Sequence, residues 1–317
     1  MTQSLVPAAV LRQRFVDAAT EKFAAGVRDF AALRAHVLNR GGRFHNDHAA
    51  IRSADPRVTA LLVRIAARFD MTPDRRYSFP AKKLESFDLQ VPGDDARQFK
   101  LFVSEVDFDA FPPDVAAAIR GDAEGCWQAA DHAGLEKLLD VAERAGGLTE
   151  EQGDRLIALV VDTVLTRPGP PIRRSVLNTV AAVSGEAASA LALGADFNHV
   201  TIDVLAAGYP GIDAMVADMA AQGFRMLPSI QGAPGTKLRQ TATMAATMDT
   251  PVLEDDGSVG VAQTERQFVE IIERGGDVDE SGRPVLGADG SPRLYKHFLA
   301  ANAEKIFDAA STRARAS

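Results

Sequence analysis

Cysteine is nearly absent from this chain: Cys126 stands alone among 317 residues. An internal disulfide is therefore impossible, and so is a zinc site built on several thiolates. Long apolar runs are missing too. The nearest, LIALVVDTVL from residue 156, is broken by Asp162 and falls short of the ~20 residues that span a bilayer. It reads as a core helix. Positive charge is in deficit, with 35 Lys and Arg against 43 Asp and Glu, a formal net charge of −8. That balance argues against nucleic acid or an anionic membrane as the main partner. The opening MTQSLVPAAVLRQRF lacks the charged start and apolar block of a signal peptide, so a cytoplasmic address is expected. No GxSxG hydrolase signature occurs, and QGAPGTK is too short for a phosphate-binding loop. Histidine is scarce, at six residues, so the place of each one carries information.

What is present is the make-up of an ordinary globular protein, 46% hydrophobic and 25% charged, with length for about two domain-sized units. Residues 1–40 read as terminal helices that end at Gly41-Gly42. In 41–112, RFHNDHAAIR reads as a strand. Asp55-Pro56 then opens a helix with Val58, Leu61, Leu62, Ile65 and Phe69 on one stripe. Strand-like segments follow at YSFPAKKLESFDLQV and FKLFVSEVDF. Residues 113–192 are rich in alanine and leucine at helical spacing, broken at RPGPP, and read as a helical insertion. The first pattern then returns in 193–275. FNHVTIDV is a strand, Pro210 opens a helix striped by Ile212, Met215, Val216 and Met219, and strand-like pieces follow at GTKLRQTATMA and ERQFVEIIERGG. Residues 276–317 carry turn signals at ESG and ADGS, then a helical pattern from KHFLAANAEKIFDAA. The expected fold is α/β: two βαβββ modules forming an incomplete barrel, with a helical insertion and terminal helices.

His48 and His199 occupy the opening strands of the two modules, and Glu270 lies on the last strong strand of the second. Two imidazoles and a carboxylate on rigid strands make a facial triad, which leaves about three positions of an octahedral metal open. Residues two apart on a strand share a face, so His48, Ala50 and Arg52 point together. Arg52 lies roughly 13 Å along the strand from His48, where its planar fork suits the far carboxylate of a metal-chelated substrate. By the same parity Asp203 is placed to orient His199, and Asp47 and His45 should face away from the metal. A glutamate between Phe268 and Ile272 is costly to bury unpaired, and ligation explains it.

FNHVTIDV, the set of two histidines and one glutamate, and FVEIIERGG resemble the vicinal oxygen chelate superfamily. More closely, HNDHAAIR, DFNHVTIDV, SIQGAPGTKLRQTAT and VAQTERQFVEIIERGG, in that order, resemble the 2-oxoadipate dioxygenase/decarboxylase family, also called hydroxyglutarate synthase, over about residues 40–275. The resemblance implies that His48, His199 and Glu270 bind Fe(II) and that Arg52 binds the substrate carboxylate. It implies a reaction of a 2-oxo dicarboxylic acid (2-oxoadipate) with O2 to give 2-hydroxyglutarate and CO2, a step of lysine breakdown.

Further candidates surround this set. Gln240 shares its strand face with Leu238 and Ala242 and is a candidate hydrogen-bond partner for substrate or oxygen. Gln231 and Lys237 are candidate substrate contacts. His36, His132 and His297 fall in helix-like segments and read as structural or solvated, and Cys126 and Trp127 as packing residues. A glyoxalase-type lyase or isomerase on the same architecture is the competing expectation. It would draw a fourth ligand from KLFVSEVD, at Ser104 or Glu105, and parity leaves open which of these points inward. A metal-free module that binds a small acid is the third.

Overall fold

A computed structural model describes residues 4–93, 95–287 and 289–300. The apolar pattern of the amino-terminal segment forms two helices, α1 (Ala8–Gly26) and α2 (Arg28–Asn39). The break falls at Val27, which is extended and whose N–H closes on Phe23 O. The first module follows as β1 (Asn46–Ser53), α3 (Pro56–Ala67), β2 (Thr72–Phe79), β3 (Leu84–Gln90) and β4 (Lys100–Val106). Helix α3 starts where the sequence signals it. Asp55 accepts from Arg57 N at the cap and Pro56 takes the first turn. Its buried stripe is Leu61, Leu62 and Ile65.

The insertion comprises α4 (Pro113–Ala129), α5 (His132–Ala145), α6 (Glu150–Leu159), the two-residue β5 (Ile172–Arg173), α7 (Arg174–Ala181) and α8 (Gly185–Leu193). LIALVVDTVL completes α6 and continues as a π-helical turn over Val160–Val164, with Val160 and Val164 buried. Among the described residues no helix is long and apolar enough to cross a membrane. Gly194 ends α8 with φ 75°, and a Cβ there would meet Arg167 N at 2.7 Å, so only glycine fits.

The second module is β6 (Phe197–Asp203), α9 (Ile212–Ala221), β7 (Leu238–Ala242), β8 (Ala246–Leu253) and the long β9 (Val259–Arg274). The strands form one open sheet in the order β2-β3-β4-β1-β6-β9-β8-β5, with β7 also on β9. Within the modules β1 runs parallel to β4 and β6 parallel to β9; the two modules meet through the antiparallel pair β1–β6. The second module departs from the first in one respect. β7 and β8 pair with successive halves of β9, Ala242 opposite Glu270 and Ala246 opposite Gln267.

Every residue of β1 is buried, because both faces of the sheet are covered. Ala49 and Ile51 face a core shared with α1, α2, α3, α5, α6 and α9. Ala50 and Phe102 face a second cluster with residues of α4, α7 and α8. The insertion thus supplies a layer over the face that carries His48. Each large side chain buried in these layers contributes on the order of 1.5–3 kcal/mol.

After β9, residues 276–287 and 289–294 form an irregular hairpin. Bridges join Gly276 to Leu294 and Val278 to Pro284, and Asp279 and Asp289 cap its turns by accepting from Ser281 N and Ser291 N. The helix expected from Lys296 is absent over 296–299. Arg274 binds the carbonyls of Tyr295 and His297 and holds this stretch as an irregular strap. The rest of that expected helix and the ARAS tail lie outside the described residues.

Candidate metal centre

Register sets the site. On β6 and β9, His199 pairs with Phe268 and Thr201 with Glu270; across β1–β6, Ala50 pairs with His199. His48, His199 and Glu270 therefore converge at the junction of the modules, all buried, with their donor atoms within 4.8 Å of one another. Glu270 Oε2 lies 3.5 Å from His199 Nε2 and 3.8 Å from His48 Nε2. These separations suit a single cation held at about 2.0–2.2 Å by each donor.

The remaining nitrogens are committed elsewhere. His48 Nδ1 bonds Asp47 Oδ1 at 2.9 Å, and His199 Nδ1 bonds Asn198 Oδ1 at 3.2 Å. Both partners accept only, so the ring protons sit on Nδ1 and the Nε2 lone pairs face the cluster. The Thr201 hydroxyl donates to His48 Nε2 at 3.1 Å, a bond that an approaching cation would displace. Electrostatics agrees with this donor set. Burial holds both imidazoles below their ordinary value, His199 furthest, since His48 and Arg52 add repulsion. Burial, reinforced by Asp47, pushes the Glu270 carboxyl up to about 8. Two neutral imidazoles and a carboxyl reluctant to ionise unpaired form a site that a divalent cation would complete.

Asp47 corrects the sequence expectation. It was expected to face away, yet it orients His48. A β-bulge between Asn46 and Ala49 breaks the alternation, so neighbours 47 and 48 reach the same side. Burial alone would raise the Asp47 carboxyl, but Arg274 and Lys100 hold it well below the usual carboxylate range. Arg274 Nε and Nη2 each donate to it at 2.6 Å, while Lys100 Nζ stands at 3.7 Å with its own pKa brought down by burial to about 8. Asp203 is also corrected: its carboxylate accepts from Ala206 N and shapes the turn after β6, while Asn198 meets His199.

Arg52 lies on the site face, opposite Ser104, and its Nη1 pairs with Glu186 Oε2 of α8 at 2.6 Å. Burial lowers the guanidinium pKa and Glu186 partly offsets that. Gln240 is buried opposite Ile272, two positions from the residue that faces Glu270, so it stands on the ligand face of the sheet. Gln231 bridges Gln240 through backbone bonds, and its side chain turns to Ser229 Oγ. Lys237 does not join the cluster. Its ammonium donates to Val278 O and pairs with Asp277, in the hairpin after β9. Ser104 shares the face of Arg52 and bonds Ser86, whereas Glu105 aligns with Ser53 and Glu85 on the opposite face. His45 bonds Arg97 O, His36 pairs with Asp218, and His132 stacks on Trp127, all away from the cluster.

Aromatic rings close the surroundings. Phe268 stacks on His199 with centroids 4.7 Å apart, and Phe298 of the strap meets His48 edge-on at 4.7 Å. Phe298 also contacts Phe102 and Tyr77. Sequence reasoning missed Arg274, although it shares parity with Glu270 and Ile272. It also missed Asn198, which stands one residue before His199 as Asp47 does before His48, and Glu186 and Phe298, which no local pattern connects to the ligands.

Known proteins share this fold. A glyoxalase-superfamily protein from Ralstonia eutropha JMP134 superimposes with a TM-score of 0.75 at 22% identity, covering 86% of this chain and 85% of its own. Hydroxyglutarate synthase from Oryza sativa, solved with 2-oxoadipate, gives 0.74 at 18% identity over 100% of this chain and 98% of its own. Hydroxyglutarate synthase from Pseudomonas putida, also solved with 2-oxoadipate, gives 0.70 at 18% identity over 87% and 67%. At these identities the likeness establishes the fold. No curated protein matches the sequence. The profile of the 2-oxoadipate dioxygenase/decarboxylase family matches residues 28–289, and the chain belongs to that family.

Proposed function

We propose that the chain is a non-haem Fe(II) dioxygenase/decarboxylase that converts a 2-oxo dicarboxylic acid, 2-oxoadipate, with O2 to 2-hydroxyglutarate and CO2, as in lysine breakdown. The observation that carries this reading is the buried cluster of His48, His199 and Glu270, with both Nε2 lone pairs directed at it. Family membership supports the substrate class.

His48, His199 and Glu270 would hold the iron, and the chemistry supplied by bound Fe(II) is oxidative decarboxylation of a chelated 2-oxo acid followed by hydroxylation of the carbon skeleton that remains. One substrate and one O2 give one CO2 and one hydroxy acid, so no external reductant is required. The chain's own groups do the rest. Asp47 and Asn198 fix the ring orientations through Nδ1. Arg52 offers its guanidinium to the distal carboxylate of the substrate, and Glu186 neutralises it beforehand. Gln240 donates to the substrate from the face of Glu270. Phe268 and Phe298 shield the ligands from water.

The glyoxalase-type alternative relies on a fourth protein ligand. Glu105, the carboxylate candidate, lies on the opposite face of the sheet, and Ser104 on the site face offers only a hydroxyl already bonded by Ser86. Both favour the three-ligand reading with positions left for substrate and O2. A metal-free binding module would leave the convergence of two imidazole nitrogens and a buried carboxyl without a role. The reading is tested by supplying 18O2 and 2-oxoadipate to the Fe(II)-loaded protein and weighing the product. A labelled hydroxyl on a five-carbon diacid, absent in His199→Ala, supports it. An unlabelled isomer of the substrate, or no turnover of any 2-oxo acid, overturns it.

A further inference from the structure

A second group of ligating side chains stands on the first module, separate from the cluster just described. A carboxylate oxygen of Asp74 on β2, one of Asp88 on β3 and a ring nitrogen of His297 on the strap lie within 4.8 Å of one another. Asp88 is fully buried and Asp74 is exposed at the sheet's edge strand. The His297 side chain is 9% exposed and its buried Nδ1 makes no hydrogen bond, while it faces Asp74 Oδ2 at 3.3 Å.

A buried ring nitrogen with no hydrogen bond is costly unless something completes it. Protonation is disfavoured, since burial and the nearby Arg75 bring the His297 pKa down to about 4. A neutral ring offers a lone pair, and the two carboxylates supply charge. Asp88 is held in place for such a task. It accepts from Arg75 N at 2.7 Å, Gln90 Nε2 at 2.7 Å and the Tyr77 hydroxyl at 3.3 Å, which fix the carboxylate as outer partners fix a ligand. Asp74 is the solvent-facing side through which an ion would enter. Lys296 is 3.8 Å from Asp74 and donates to Gly93 O at an exposed bond, so it can yield the carboxylate to a stronger charge.

We propose that Asp74, Asp88 and His297 form a second divalent-cation site, a clasp that ties the strap to β2 and β3 and so keeps Phe298 against His48. One nitrogen and two carboxylate oxygens suit Mn2+, Fe2+ or Zn2+ more than Ca2+ or Mg2+. The site is independent of the chemistry proposed for the first cluster.

Equilibrium dialysis of Mn2+ against metal-stripped protein, with bound ion counted by electron paramagnetic resonance, tests it. Wild type should take up two equivalents. His199→Ala should keep one, held by the clasp. Adding Asp74→Asn or His297→Ala to His199→Ala should weaken that remaining equivalent at least tenfold. Asp74 is exposed, so its substitution leaves the fold intact and keeps the test sound if a histidine variant misfolds. A single equivalent in wild type that disappears in His199→Ala would overturn the clasp. So would a second equivalent whose affinity is unchanged by both Asp74→Asn and His297→Ala.

Discussion

Replacing Arg274 by methionine removes a guanidinium that donates to Asp47 twice at 2.6 Å and to the strap carbonyls of Tyr295 and His297 at 2.8 and 3.2 Å. Asp47 would remain fully buried, with His48 Nδ1 at 2.9 Å and Lys100 at 3.7 Å as its remaining partners. Breaking a buried ion pair from one side typically costs about 3–5 kcal/mol. Lys100 compensates part of the orphaned charge, which points to the lower end, and each strap carbonyl adds ~0.5–1.5 kcal/mol. The expected loss is therefore about 4 kcal/mol in urea unfolding followed by circular dichroism. Asp47→Leu should cost a similar amount, because it leaves Arg274 and Lys100 unpaired. The double variant should be less destabilised than the sum of the singles by about 2–3 kcal/mol, the coupling of two contacting charges. Strict additivity, or single losses below ~1 kcal/mol, would refute the account of this network.

Other consequences follow from the same geometry. The Glu270 carboxyl, raised to about 8 by burial, favours the protonated form in the fold. Its contribution to the stability of the metal-free protein is complete below the ordinary carboxylate range and fades as pH rises through about 8. Metal binds the ionised form, so the rise in melting temperature on adding Mn2+ should grow from pH 6 to pH 8; a shift independent of pH would contradict Glu270 as ligand. Arg52→Met should raise KM for 2-oxoadipate by ~30–100-fold, through loss of a charge-assisted bidentate contact, with a smaller effect on a 2-oxo monoacid. Glu186→Gln weakens the ion pair that competes for the same guanidinium and should lower that KM; unchanged values in both variants would remove Arg52 from the substrate site. Lys237→Ala should loosen the hairpin after β9, seen as faster proteolysis there, and leave KM where it was. A tenfold rise in KM would return its ammonium to the substrate.

The sequence made the module plan legible where local signals are strong. Asp55-Pro56 with its apolar stripe marks α3, and apolar strands bounded by glycine mark β6 and the end of β9. The ERGG ending has a steric cause: a Cβ at Gly275 would meet Thr236 O at 2.2 Å. Parity served on unbroken strands, where Glu270, Ile272 and Arg274 share a face. It failed at Asp47, because a bulge in β1 is written in the pairing with β6 and not in the residues themselves. Glu186 and Phe298 were beyond reach for another reason. They approach from the insertion and the strap, more than a hundred residues from Arg52 and His48. The hairpin after β9 was visible in its turns, but the strap that follows reads as helix until Arg274 claims its carbonyls.

The central claim is that His48, His199 and Glu270 hold an Fe(II) that activates O2 against a 2-oxo dicarboxylic acid. It is tested most directly by following O2 uptake and CO2 release when 2-oxoadipate is added to protein reconstituted anaerobically with Fe(II), with Glu270→Gln beside it. The account predicts one CO2 per O2 in wild type and neither gas exchange in the variant. Tight Fe(II) binding without O2 uptake, or uptake that survives Glu270→Gln, would contradict it.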